Sequence, residues 1–266
     1  MMTFYRTQAL GCAVLSFLWL AHPAGAADAV SPMTPELKPV VTEQGWTFSV
    51  APYFWAAGMS GDVAQFGLPT VEVDSSFSDI LKNLDFAAMA VAEARYDRYS
   101  IFGDLMYVKL SGESGTPRGV VANSVEVSSQ TFSGLVGAGY SILQSDAGRL
   151  DFVGAMRVWS VDTDLDFHGG ILDGVSGSDG ATWADGLVGV RANYSLTPEV
   201  YLTGWGMIGA GGANVDWDVA AALGYRFNKR FSAVAGYRAL GVNYRNDGFV
   251  FDVVQQGPIM GLVMRF

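Results

Sequence analysis

Charged residues of both signs recur at every second position in several stretches that otherwise alternate with apolar residues. Because successive side chains of a strand point to opposite faces, these charges share one face of a predicted sheet. They are Glu93, Arg95, Asp104, Asp151, Arg157, Asp185, Arg191, Asp216, Asp218, Arg226, Arg238 and Arg265. Charges turned inward must be paired or solvated. The row therefore predicts either a packed salt-bridge network or a polar channel or ligand pocket.

Other residue types that could carry chemistry lack the spacing for it. His168 stands between Phe167 and Gly169, with no serine or acid partner in fixed register, so we expect no catalytic residue and no enzyme activity. The acidic stretch 162–179 could offer oxygen ligands to Ca²⁺, but its spacing does not match an EF-hand. The glycines of GAGGA at 209–213 lack the strand-to-helix context of a phosphate loop. We predict no cofactor and no metal site.

The first 26 residues have the composition of a secretory signal peptide. Arg6 supplies the positive charge, 9–21 is an apolar run too short to span a membrane, and Ala24-Gly25-Ala26 is a cleavage site of the A-x-A type. The single cysteine, Cys12, lies inside this segment, so the mature chain is expected to have no disulfide. Residues 27–45 are polar and contain prolines, and they are predicted to form a flexible periplasmic lead-in.

Composition excludes one class of partner. The chain is 50% hydrophobic with 33 glycines, yet its formal net charge is −10. An acidic balance disfavours nucleic acid, which requires a basic surface. Abundant apolar residues that never form a long run are what a lipid-facing barrel needs.

The alternating stretches predict ten antiparallel strands over residues 46–266. The clearest is 214–228, in which Val215, Trp217 and Val219 face one side while Asp216 and Asp218 face the other. The predicted strands are 46–59, 85–97, 99–111, 120–142, 149–162, 182–195, 199–209, 214–228, 231–245 and 249–266. Short turns and both termini fall at one end, which we predict to be periplasmic, and the longer loops fall at the other. Counts of eight or twelve strands stay open.

Three segments depart from simple alternation. Residues 60–84 break the pattern, and 76–84 predicts a short helix that either caps the barrel or dips into it. In 120–142 the apolar row shifts from odd to even positions, which predicts a bulge near 128–131. Residues 163–181 are predicted to be a long irregular loop.

The chain ends in an alternating strand, 249–266, whose last apolar row is Met260, Leu262, Met264 and Phe266. A soluble edge strand with such a row would invite aggregation. The row is explained if it faces lipid while the backbone pairs with the first strand and closes a barrel. This ending resembles the C-terminal signal of bacterial outer-membrane β-barrel proteins, which implies recognition by the barrel assembly machinery.

Together these features resemble the OmpA/OmpW-like, porin-like superfamily of small proteobacterial outer-membrane barrels. The nearest pattern is a subgroup with an APYFWAAG-like first strand and a VDSSFSDILKNLDFA-like segment, here 51–58 and 73–87. The resemblance implies an all-β transmembrane barrel in the outer membrane of a Gram-negative bacterium, with outer-membrane lipid as a partner. It leaves two functions open, because the fold hosts many activities. One is a narrow channel for small solutes; the alternative is a closed structural or surface-interaction barrel acting through its extracellular loops.

Overall fold

The computed structural model describes residues 45–115 and 123–266. The predicted signal peptide and nearly all of the lead-in lie outside the described residues and stay predictions. The described residues form one short helix, α1 (Phe77–Lys82), and twelve strands. The strands are β1 (Trp46–Trp55), β2 (Gly58–Ala64), β3 (Val71–Ser75), β4 (Leu84–Tyr96), β5 (Tyr99–Gly115), β6 (Ser124–Gln144), β7 (Gly148–His168), β8 (Ser176–Ser195), β9 (Val200–Gly211), β10 (Val215–Arg226), β11 (Phe231–Asn246) and β12 (Phe249–Arg265). Within the part of the chain described, no helix has the length and apolar character needed to cross a membrane.

Ten of these strands close into an antiparallel barrel. β1 pairs with β4 on one side and with β12 on the other, and β4 to β12 follow in chain order. β2 continues the wall above β1, from Gly58 opposite Gln256 to Ala64 opposite Val250. β3 pairs with β2 and with no other described strand, so it adds no crossing. The prediction of a ten-strand antiparallel barrel is confirmed.

The exterior of the barrel is apolar, and its exposed side chains follow the predicted alternation. On β1 the even positions, such as Phe48 and Phe54, are exposed, and on β12 Met260 and Leu262 are exposed. An apolar surface of this extent on all ten barrel strands is stable only when lipid covers it. Exposed aromatic residues ring the end with the short turns: Trp46, Tyr96, Tyr99, Tyr140, Tyr194, Tyr225, Phe227, Phe231 and Phe266. Such a girdle is typical of a membrane interface. The barrel is a transmembrane barrel.

The segment between β2 and β4 does not enter the lumen. The Phe66 backbone N–H, at the tip of the β2–β3 hairpin, donates to the Asp179 carboxylate on β8, so the tip reaches across the end with the long loops. α1 lies outside the wall, because its Phe77 ring meets the lipid-side Phe54 ring edge-on at 5.7 Å. Ser76 caps the helix, and its hydroxyl, with the Lys82 ammonium, lowers the pKa of the exposed Asp79.

Two predicted irregularities are wrong. Residues 163–181 are mostly strand, because β7 runs to His168 and β8 begins at Ser176. Their backbone groups find partners in the neighbouring strand, and this pairing outweighs the weak β-propensity of Asp and Gly. The bulge near 128–131 is absent: β6 keeps one register against β5 throughout, and its register shift against β7 lies between Ser141 and Leu143. The apolar row changes sides because the outer part of β6 projects beyond the lipid.

Candidate functional site: the barrel interior

An aromatic core fills the interior toward the long-loop end. Trp183 stacks on Tyr244 with ring centroids 4.0 Å apart, and Trp159 stacks on Trp183 at 6.0 Å. Phe251 packs against both tryptophans. Phe249, beside the β11–β12 turn, belongs to the same buried cluster. The core therefore extends from the mid-lumen to the loops.

A layer of charged side chains lies directly below this core. Arg157 donates from its two terminal nitrogens to Asp216 and Asp218, each at 2.6 Å. Arg238 donates to Asp218 at 2.7 Å and to Asp104 at 2.6 Å. These five residues, called the central charged layer below, come from β5, β7, β10 and β11. They tie strands together across the barrel as well as along its wall.

Aromatic donors complete the central charged layer. The Trp159 indole N–H donates to Asp216 at 2.9 Å, and the Trp205 indole N–H donates to Asp218 at 2.8 Å. The Tyr53 hydroxyl donates to Asp104 at 2.7 Å. Arg157 is 1% exposed, and Asp216 and Asp218 are 0% exposed. Side chains therefore bond both oxygens of Asp216 and of Asp218, whereas the buried Arg157 Nε has no hydrogen-bond partner among the described residues.

A second cluster lies nearer the short-turn end and centres on Glu93. Arg95 and Arg149 donate to one oxygen of Glu93 at 3.0 and 3.2 Å, and Arg191 lies 2.9 Å from the other oxygen without hydrogen-bond alignment. Asp151 accepts from Arg95 and, at 2.5 Å, from the Ser141 hydroxyl. Arg149 was not among the predicted residues. Its place two residues before Asp151 put it on the same inward row, so the alternation could have identified it.

Three of the twelve predicted charges join neither cluster. Asp185 accepts the Ala213 backbone N–H at 2.8 Å, and its other oxygen has no donor among the described residues. Arg226 and Arg265 lie over the Tyr201 ring, 4.4 and 5.8 Å from its centroid. The structure therefore divides the predicted row into the central charged layer, the Glu93 cluster and these three residues.

A cavity of about 910 Å³ opens at the short-turn end, below the central charged layer. Tyr53, Trp205 and Ile259 line its inner part, and Tyr53 and Trp205 are also hydrogen-bonded to the layer. Seven cationic side chains line it: Arg95, Arg149, Arg191, Arg226, Lys229, Arg230 and Arg265. Among its described lining residues, Glu93 supplies the single carboxylate side chain. We call this cavity the basic vestibule.

Tyr201 sits in the wall of the vestibule because its partner across the strands is a glycine. Gly224 pairs with Tyr201, and a Cβ at position 224 would lie 2.1 Å from the ring. The buried Tyr201 hydroxyl lies 3.1 Å from the Ser232 hydroxyl. Because Gly224 has no side chain, the Tyr201 ring can occupy this position, where Arg226 and Arg265 lie over it.

Gly224→Ala is expected to destabilise the barrel by about 1–3 kcal/mol, because the added methyl must displace the Tyr201 ring. Urea unfolding in lipid vesicles measures this. Gly154→Ala is the matched control, since a Cβ there meets nothing within 4 Å. Equal unfolding midpoints for the two variants would contradict the packing argument.

His168 and three of the acidic residues considered for metal binding lie outside the lumen, whereas Asp179 is on the inward row of β8 and accepts the Phe66 backbone N–H. His168 Nε2 is 3.6 Å from a Glu126 carboxylate oxygen, and both side chains are exposed beyond the apolar band. Asp162, Asp164 and Asp166 belong to the outward row of β7. In residues 45–115 and 123–266, no group of three or more His, Cys, Asp or Glu side chains is placed to hold a metal ion.

The closed wall and apolar exterior define a transmembrane β-barrel protein. Similar solved structures include the outer membrane protease OmpT from Escherichia coli, at 10% identity and TM-score 0.49 over 84% of this chain and 98% of that chain. Ail, the attachment invasion locus protein of Yersinia pestis, matches at 13% identity and TM-score 0.37, over 84% of this chain and 99% of that chain. The translocator domain of autotransporter NalP from Neisseria meningitidis matches at 12% identity and TM-score 0.41, over 85% of this chain and 90% of that chain. At these values the likeness is one of general architecture and carries no function. No protein-family model matches the chain, and no curated protein matches it significantly.

Proposed function

We propose that this is an outer-membrane barrel whose lumen is closed by its own side chains, and that it acts as a structural or surface-interaction protein. The observation that carries the proposal is the burial of the central charged layer together with the aromatic core above it. Trp159, at the junction of the two, is 0% exposed. A conducting lumen would keep water against charges at this depth.

The surface offered to partners is the part of the wall that projects beyond the lipid. β6, β7 and β8 are 21, 21 and 20 residues long, about twice what one crossing needs. Their outer halves and the β2–β3 hairpin form the extracellular face in this proposal. Outer-membrane lipid around the wall and recognition of the C-terminal strand by the assembly machinery belong to the same proposal, as does membership of the OmpA/OmpW-like superfamily. No enzyme activity is proposed.

The second candidate is the narrow channel for small solutes. The basic vestibule favours it, because this cavity already reaches from the short-turn end to the central charged layer. Conduction would require the charged layer and the aromatic core to rearrange.

Planar-bilayer recording of the refolded mature protein is the direct test. We expect no steady conductance, with a general porin recorded in parallel to show that the assay detects open barrels. A variant in which Asn-Gly replaces residues 65–70 shortens the β2–β3 tip and keeps the pairing of β2 with β12. We expect it to stay silent too, because the aromatic core below the tip is intact.

Two results would change the conclusion. Steady conductance of the unmodified protein would establish the channel and overturn the closed barrel. If the variant with the shortened hairpin conducts and the unmodified protein does not, the hairpin tip is a gate. The barrel would then have an open and a closed state.

A further inference from the structure

We propose that the basic vestibule binds a small ligand carrying phosphate or carboxylate oxyanions. This inference goes beyond the structural role and does not depend on whether the barrel conducts. It rests on a cavity open at one end of the lumen, on an excess of positive charge, and on two arginines over one ring with no described Asp or Glu carboxylate within 4.0 Å.

The positive charge of the vestibule is only partly neutralised. Glu93 and Asp151 form ion pairs with three of its arginines, Arg95, Arg149 and Arg191. No described Asp or Glu lies within 4.0 Å of the other four cationic side chains lining the vestibule, which are Arg226, Lys229, Arg230 and Arg265. This concentration stands out in a chain whose formal net charge is −10.

Arg226 and Arg265 give the site its most specific feature. Both guanidinium groups lie over one aromatic ring, that of Tyr201. Arg226 also donates to the Pro198 carbonyl at 3.1 Å and to the Ser195 hydroxyl at 3.0 Å, so its position is held. Two like charges that lie over the same ring repel each other, and an anion bound beside them would relieve that repulsion. Guanidinium forks match the paired oxygens of phosphate and carboxylate.

The remaining walls suit an organic body on such an anion. Val234, Val263 and Ile259 offer apolar surface, and Thr47 and Asn193 offer hydrogen-bonding groups. A volume of about 910 Å³ lies in the range of small-molecule sites, which run from about 300 to 1,000 Å³. The ligand class is therefore a small phosphorylated or multiply carboxylated molecule, or the phosphate headgroup of a lipid.

Three acidic groups near the rim reduce this excess. Phe266, a lining residue, carries the terminal carboxylate, one oxygen of which accepts the Phe48 backbone N–H at 3.3 Å. Asp97 and Asp146 line a smaller cavity of about 250 Å³ that adjoins Arg149 and Arg226 at the rim. Neither forms an ion pair within 4.0 Å with a described cation. Asp97 and Asp146 can lower the local potential, but neither lines the vestibule.

Isothermal titration calorimetry of the purified barrel in a zwitterionic detergent tests the proposal. The probes are sodium pyrophosphate, citrate and the water-soluble lipid dihexanoyl phosphatidic acid. We expect saturable binding of at least one probe, weakening steeply between about 50 mM and about 0.5 M NaCl as charges are screened. Binding of the soluble anions assigns a free ligand, and binding of the phosphatidic acid alone assigns a lipid headgroup.

The matched variants show whether binding depends on this site or on the overall positive charge of the barrel. Arg226→Gln with Arg265→Gln should weaken binding by about tenfold or more, whereas Arg245→Gln at the opposite end should leave it unchanged. If the double variant fails to show the folded band on unheated SDS gels, Lys229→Gln with Arg230→Gln in the β10–β11 turn is used, with about threefold weaker binding expected. No binding of any probe to the unmodified barrel, or equal binding to folded variants and wild type, would overturn the proposal.

Discussion

Arg157→Ala is expected to lower the free energy of unfolding by about 3–5 kcal/mol. The substitution removes the donor that bonds Asp216 and Asp218 at 2.6 Å each. Asp218 keeps its bond from Arg238, but buried Asp216 is left without an arginine partner among the described residues. The Trp159 and Trp205 indoles still donate to these carboxylates, but they carry no charge. Urea titration in lipid vesicles, followed by the shift in gel mobility between folded and unfolded barrel, measures the loss.

The control for this prediction is Arg245→Ala. Arg245 donates to Asp252 at 2.7 Å, but both side chains are substantially exposed, and a surface pair contributes only about 0–1 kcal/mol. A loss at Arg157 no larger than that at Arg245 would mean that water reaches the central charged layer. The closed lumen would then be wrong as well.

Trp183→Ala is expected to cost about 3–5 kcal/mol, the range for large buried aromatic residues. Its ring stacks on Tyr244 at 4.0 Å and on Trp159 at 6.0 Å, so the truncation leaves a void in the centre of the aromatic core. The same urea titration measures the effect. The matched control is Trp46→Ala, because Trp46 is 55% exposed on the outer surface and fills no space in the lumen.

The Trp183 variant also tests what closes the lumen. The central charged layer remains below the void, so we expect the folded variant to stay non-conducting in a planar bilayer. Conductance from folded Trp183→Ala would show that the aromatic core is the principal barrier. A loss of stability no greater than that for Trp46→Ala would contradict tight packing around Trp183.

The sequence by itself determined the barrel and, except for the outer part of β6, which side of each predicted strand faces inward. Alternation is a local property, since neighbouring side chains point to opposite faces whatever the strand pairs with. For that reason the sides of Asp216, Trp217 and Phe266 follow from the sequence alone. The sequence also favoured ten strands over eight or twelve, because each crossing must be apolar on its lipid side and separated by turns.

The ends of the strands were less predictable where they leave the lipid. Residues 163–168 and 176–181 have weak strand propensity, and they become strands because neighbouring strands supply hydrogen-bond partners. The predicted bulge in β6 assumed that apolar side chains must face outward along its whole length. That requirement ends where the lipid ends.

Only the tertiary structure decided which inward charges meet and what space they leave. Arg238 and Asp104 are 134 residues apart, and their contact depends on how the strands are staggered when the sheet closes. Closure also brings Arg226 and Arg265 to one tyrosine ring and separates the central charged layer from the basic vestibule. The alternating pattern carries the direction of each side chain but not its height in the barrel. It therefore predicted a network or a pocket as alternatives, but not that both are present or which charges belong to each.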